Sequence, residues 1–229
     1  MTRLDLLHRE IIQCRACPRL VAWREEVARV KVRRFRDWTY WGRPVPGFGD
    51  PRARLLIVGL APAANGANRT GRMFTGDRSG DFLYAALHRA GLASQAEAVH
   101  RNDGLKLASV FITAPCRCAP PENKPLPEEL QRCGGWLDRE VALLPSVRVV
   151  LALGSIGWAA TLAQFARRGL DLPRPRPQFA HGAESPIPGG PTLLGCYHVS
   201  QQNTNTGKLT PKMIDAVLRR AKSLLGSSM

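Results

Sequence analysis

Five of the six cysteines fall into two groups: Cys14 and Cys17 form a C-x2-C pair, and Cys116, Cys118 and Cys133 follow about a hundred residues on. Thiolates grouped this way bind soft metals, and a set of four would suit either zinc or an iron-sulfur cluster. Cys196 stands alone in an apolar stretch, where a free cysteine is usually a small buried hydrophobe. Two other residues stand where a ligand could meet them. Asp77 closes the Gly and Pro-rich loop that follows the apolar run Leu55 to Val58, and His198 opens the polar loop after Thr192 to Tyr197. If both runs are strands of one parallel sheet, their carboxyl ends face one crevice, and Asp77 and His198 come within reach of the same ligand.

The periodicity predicts such a sheet. Leu55 to Val58, Ala108 to Thr113, Val147 to Leu153 and Thr192 to Tyr197 read as strands, the first apolar throughout as burial on both faces requires. Helical spacing follows each one, from Ser79 as N-cap after the first, from Pro127 after the second, over Ile156 to Arg168 after the third and from Thr210-Pro211 after the fourth. Two further helices, Leu4 to Gln13 and Leu20 to Val30, flank the C-x2-C pair. Strand and helix alternate four times, which predicts an α/β, three-layer sandwich with a four-stranded parallel sheet. The Pro and Gly-rich stretch Asp171 to Pro191 reads as an extended surface connection, and residues 1–229 as one domain.

The loop after Leu55 to Val58 is neither a Walker loop nor G-x-G-x-x-G, and Gly154-Ser155-Ile156-Gly157 lacks the spacing of a nucleophile elbow. The 33 Lys and Arg against 18 Asp and Glu give a net charge of +15, which points to a polyanionic partner such as nucleic acid. In KVRRFRDWTYWGRP the cations Lys31, Arg33, Arg34 and Arg36 alternate with Phe35, Trp38, Tyr40 and Trp41. Such an arm could contact phosphates with its cations and stack bases on its rings; equally, the rings could pin it to the core while the arginines face water. No apolar signal segment or membrane-spanning run is visible, so a cytoplasmic monomer without a membrane partner is expected.

The segments GLAPAANGANRTGRMFTGD, CRCAPPENKP and YHVSQQNTNTG, with PRLVAWREE and YWGRPVPGFGD, resemble the signature regions of the family-5, or B-type, uracil-DNA glycosylases, from about Cys14 to the final helix. The resemblance implies a uracil-DNA glycosylase fold and a [4Fe-4S] cluster on Cys14, Cys17, Cys118 and Cys133, with Cys116 spare. It implies hydrolysis of the N-glycosidic bond of a flipped uracil, or another damaged base, in double- or single-stranded DNA. Phe74 would stack the base, with Ala63, Ala114 and Asn123 around it, and His198 would donate a hydrogen bond to the departing base oxygen. The first motif carries apolar Ala61 to Ala64 where better-known relatives have an acid or amide, so Asp77 becomes the candidate for orienting water or stabilising the positive sugar. Arg33, Arg34, Arg36 and Asn203 are expected on DNA. Ala114 stands where family-4 enzymes carry a base-reading Asn, which predicts broad base specificity. The alternative is an iron-sulfur protein of this fold that binds nucleic acid without catalysis.

Overall fold

The computed structural model describes residues 1–226; residues 227–229, the last of the span read as one domain, lie outside the described residues. In chain order the elements are α1 (Arg3–Gln13), α2 (Pro18–Val30), β1 (Phe48–Gly49), β2 (Leu55–Val58), α3 (Ala67–Thr70), α4 (Arg78–Arg89) and β3 (Val110–Thr113). They continue with α5 (Pro127–Ala142), β4 (Val149–Leu153), α6 (Gly154–Arg167), β5 (Glu184–Pro186), β6 (Thr192–Cys196), α7 (Gln201–Asn205) and α8 (Pro211–Leu224).

Alternation along the strands explains the three layers. Leu55 and Ile57 of β2, Val149, Leu151 and Leu153 of β4, and Leu194 and Cys196 of β6 pack on one face with Leu83 and Leu87 of α4 and Ile214 and Leu218 of α8. The intervening residues, Leu56, Val58, Val150, Ala152 and Leu193, pack on the other with Leu137 of α5 and Trp158, Leu162 and Phe165 of α6. A strand covered on both sides has no face left for polar residues, hence the unbroken apolar runs.

Strand order is β1-β3-β2-β4-β6-β5. The four central strands are parallel, with Leu55 opposite both Val110 and Val149, and Val149 opposite Thr192. The sheet is nonetheless mixed and six-stranded rather than four-stranded: β1 and β5 add antiparallel edges. They are two and three residues long, and β5 ends on Pro186, so no periodicity announces them. Short edge strands carrying Gly or Pro are also poor templates for pairing with another chain. Part of the Asp171 to Pro191 connection is therefore β5 rather than loop. The stretch 201–205 is a helix rather than part of a polar loop, because the Ser200 hydroxyl accepts the Asn203 N–H at its start. Among the described residues no helix is long and apolar enough to cross a membrane.

All four central strands end on the same edge of the sheet. The segments after β2, β3 and β6, which carry Asp77, Cys118 and His198, leave from that edge.

Candidate active site

The β2 loop returns to the sheet edge through α3 and then enters α4. Asp77, not Ser79, is the N-cap of α4: its Oδ1 accepts the Gly80 N–H at 3.0 Å. Carboxylates suit this position because the first turn of a helix leaves N–H groups unpaired and carries the positive end of its dipole. A Cβ on Gly66 would fall on the Asp77 carboxylate, so only glycine lets the backbone pass beneath it. Burial pushes the Asp77 carboxyl above its ordinary range, while the N–H groups of Gly80 and Ser79, and Arg69, pull the other way.

Phe74 lies three residues earlier, with φ at 51°, a left-handed conformation that an aromatic residue adopts only at a cost. Its ring lies over Gly59, where a Cβ would come within 2.8 Å of it, and its centroid is 6.3 Å from that of His198. His198 follows β6. Asn203 Nδ2 donates to the His198 carbonyl at 2.8 Å, so this half-buried amide fixes the backbone of His198. Burial lowers the His198 pKa to about 4, which leaves a neutral imidazole at physiological pH. A neutral ring with one N–H can donate to a developing anion without holding a charge beforehand.

The other predicted base contacts divide. Ala63 is half-buried in the β2 loop, and its carbonyl accepts the Gly66 and Asn68 N–H groups. Ala114 is 1% exposed and packs in the core just beyond β3. Asn123 sits exposed on the 3-10 turn Pro121–Asn123 with φ at 57°, and among the described residues no hydrogen bond joins it to Phe74, Asp77 or His198.

Arg33, Arg34 and Arg36 are exposed, on and next to the 3-10 turn Arg33–Phe35. The rings between them are not free platforms. Arg69 of α3 stacks on both Phe35 and Trp38, with its guanidinium carbon 3.7 and 4.1 Å from their centroids, and Arg101 covers Trp41 at 4.4 Å. Tyr40 donates to Asn65 Oδ1 at 2.9 Å. The aromatic residues therefore staple the arm to the β2 loop, while Arg33, Arg34 and Arg36 stay exposed, Arg34 lying 4.5 Å from the Phe35 centroid.

Cys14, Cys17, Cys118 and Cys133 line one cavity, and Cys116 is outside it. Two arginines at this cavity had no signature among the cysteine motifs. Arg24, on the buried stripe of α2 with Leu20 and Val21, donates from Nη1 to Cys118 Sγ at 2.9 Å. Arg117, between two cysteines, offers its backbone N–H to Cys133 Sγ at 3.3 Å. The i, i+4 spacing of Leu20 and Arg24 is the one sequence signal for the first. A hydrogen bond from Cys116, then Arg117, lowers the Cys133 thiol, and burial raises Cys17. Among the described residues no three of His, Cys, Asp and Glu converge closely enough to hold one metal ion.

The Arg117 side chain runs the other way, donating to both Glu140 oxygens at 3.2 and 2.7 Å. Both side chains are buried, at 1% and 0% exposure. Thr113 Oγ1, at the end of β3, and the Gly47 N–H donate to the same carboxylate at 2.5 and 3.0 Å. Burial would raise the Glu140 carboxyl, but Arg117 and its hydrogen bonds hold it down to about 2.

The fold class is that of the base-excising glycosylases. A crystal structure of wild-type Pedobacter heparinus SMUG2 matches with a TM-score of 0.51 at 13% identity, covering 77% of each chain, a likeness that carries the fold alone. The model of the uracil DNA glycosylase superfamily matches residues 46–222. The type-5 uracil-DNA glycosylase of Thermus thermophilus is 58% identical over 213 residues, 93% of this chain and 94% of that one. That of Mycobacterium tuberculosis is 57% identical over 214 residues, 93% of this chain and 78% of its own. The chain belongs to the uracil DNA glycosylase superfamily and, within it, to the type-5 enzymes.

Proposed function

We propose that this repair glycosylase hydrolyses the N-glycosidic bond of a uracil flipped out of DNA, with His198 on the base side of the bond and Asp77 on the sugar side. Water supplies the hydroxyl that ends on the sugar carbon, the bond to the base nitrogen breaks, and the products are a free base and an abasic site. The observation that carries this reading is the placement of Phe74. Its ring is held in a strained backbone 6.3 Å from the imidazole of His198, three residues before the carboxylate of Asp77. Stacking on that ring helps offset the few kcal/mol that flipping costs. The neutral His198 N–H stabilises negative charge as it gathers on the base oxygen, and ionised Asp77 stabilises positive charge on the sugar or orients the water.

Cys14, Cys17, Cys118 and Cys133 would hold a [4Fe-4S] cluster. The donor set supports it: four thiols line one cavity, and two of them already receive N–H donors, as cluster sulfurs do. When bound, the cluster would supply a fastening between α1, α2 and the segment from Cys118 to α5, and hydrolysis draws no electron from it. Iron and acid-labile sulfide in the ratio of one cubane, after anaerobic purification, would support this; zinc in their place would refute it.

The function is tested by incubating excess enzyme with duplexes carrying uracil or hypoxanthine and measuring free base and abasic sites. Uracil should be released, and hypoxanthine within a few orders of magnitude of its rate, because Ala114 brings no polar group that a wrong base would leave unpaired. Tight DNA binding with no base released would establish the non-catalytic alternative.

A further inference from the structure

Arg69 is 3% exposed and has no carboxylate partner among the described residues. Its Nε donates to the Asn65 carbonyl at 2.9 Å and its Nη2 to the Gly76 carbonyl at 2.7 Å, while Nη1 is buried without a partner. Its guanidinium carbon lies against two rings of the arm, Phe35 and Trp38, which meet edge to face at 72°. A buried guanidinium whose hydrogen bonds go only to carbonyls, with Asp77 acting on it through space and not in an ion pair, is an expensive way to hold a loop, since an apolar side chain of similar size would fill the space without a desolvation penalty. Its position is what distinguishes it. One end clamps the peptide immediately before Asp77, and the other is boxed by the segment carrying Arg33, Arg34 and Arg36.

We propose that Arg69 is a positioning residue that couples docking of the basic arm on DNA to the setting of Asp77. When Arg33, Arg34 and Arg36 engage phosphates, the existing contacts of Phe35 and Trp38 with Arg69 are held in place, and its bond to the Gly76 carbonyl fixes the turn from which the Asp77 carboxylate projects. The same guanidinium also favours the ionised form of that carboxylate through space. Arm contact would thus raise the rate of the chemical step and not only affinity. This inference rests on the glycosylase reading, and parental uracil release tests that reading separately.

Two variants decide it. Arg69→Gln keeps a donor but loses the charge and the stacking. With DNA saturating, its single-turnover rate should fall about tenfold or more, and the acid limb of its pH-rate profile should move up, because burial and the neighbouring Asp81 would then act on Asp77 without the opposing guanidinium. A merely structural residue would leave that limb where it is. Phe35→Leu combined with Trp38→Leu keeps Arg69 and every arm cation while removing the ring faces, and it serves if the first variant folds poorly. It should show the parental salt dependence of binding with a lowered single-turnover rate. If either variant that folds reaches the parental rate and acid limb once DNA saturates, the coupling is refuted. If uracil release by the parent fails, the fault lies with the functional reading instead.

Discussion

Asp77→Asn separates the charge of the site from its shape. Asn accepts the Gly80 N–H through its own oxygen and caps a helix about as well as Asp, and its nitrogen replaces the oxygen lying over Gly66 without adding bulk. Losing the charge next to the helix dipole costs about 0.3–1 kcal/mol, but the variant also sheds the penalty that burial places on the ionised form, visible as the raised pKa. The two terms oppose, so the thermal midpoint should change little or rise. The transition state has no such compensation. Removing one aimed electrostatic group typically costs about 10²–10³ in rate, or roughly 2.7–4 kcal/mol. The assay is single turnover with enzyme in excess over labelled uracil duplex, alongside anisotropy for binding. We expect parental affinity, a rate lower by about a hundredfold or more, and a residual rate that no longer falls on the acid side where the parent's carboxylate takes up its proton. A rate within threefold of the parent at neutral pH would refute the assignment of Asp77 to the chemistry.

His198→Asn should likewise lower the rate, and should flatten stability against pH. The folded imidazole takes up its proton near 4 against 6.5 when unfolded, so the parent should lose stability as pH falls from about 6.5 towards 4, seen as a falling denaturation midpoint, and the variant should lose less. Cys118→Ser should lose iron and soluble yield, whereas Cys116→Ser, outside the cavity, should keep both in an iron assay. Removing Arg33, Arg34 and Arg36 together should flatten log affinity against log salt by about 0.9 for each phosphate no longer neutralised, measured by anisotropy. Gly66→Ala should fold yet lose activity in the single-turnover assay, because its methyl displaces the carboxylate of Asp77.

The central strands were legible because they obey a strong local rule, continuous apolar runs broken by Gly and Pro, whereas spacing gave only two groups of cysteines and the fold brings four of them to one cavity. The edges β1 and β5 were not, since strands of two and three residues are held by their pairing and not by propensity. Asp77 rather than Ser79 caps α4 because both residue types cap well and only the path of the loop decides between them. The bond from Asn203 to the His198 carbonyl was not legible because it depends on a helical turn that the polar composition hides. The rings of the arm could not be resolved from sequence, because Arg69, the residue that occupies them, lies thirty-four positions after Phe35. Arg117 would pass for a solvated cation, its partner Glu140 being on a different element.

That ion pair governs how the molecule fails. Should the segment holding Cys118 come loose, Glu140 would stay buried beneath the sheet without its cation, a loss of roughly 3–5 kcal/mol for a severed buried pair and a large share of a domain's whole stability. A half-assembled chain would therefore be an unfolding chain and not a sluggish enzyme. A preparation in which only some molecules have filled their cysteine site would be two populations, one fully competent and one open to proteases. Its specific activity would track occupancy in a straight line, and limited proteolysis would remove the inactive fraction while leaving the turnover of the survivors unchanged.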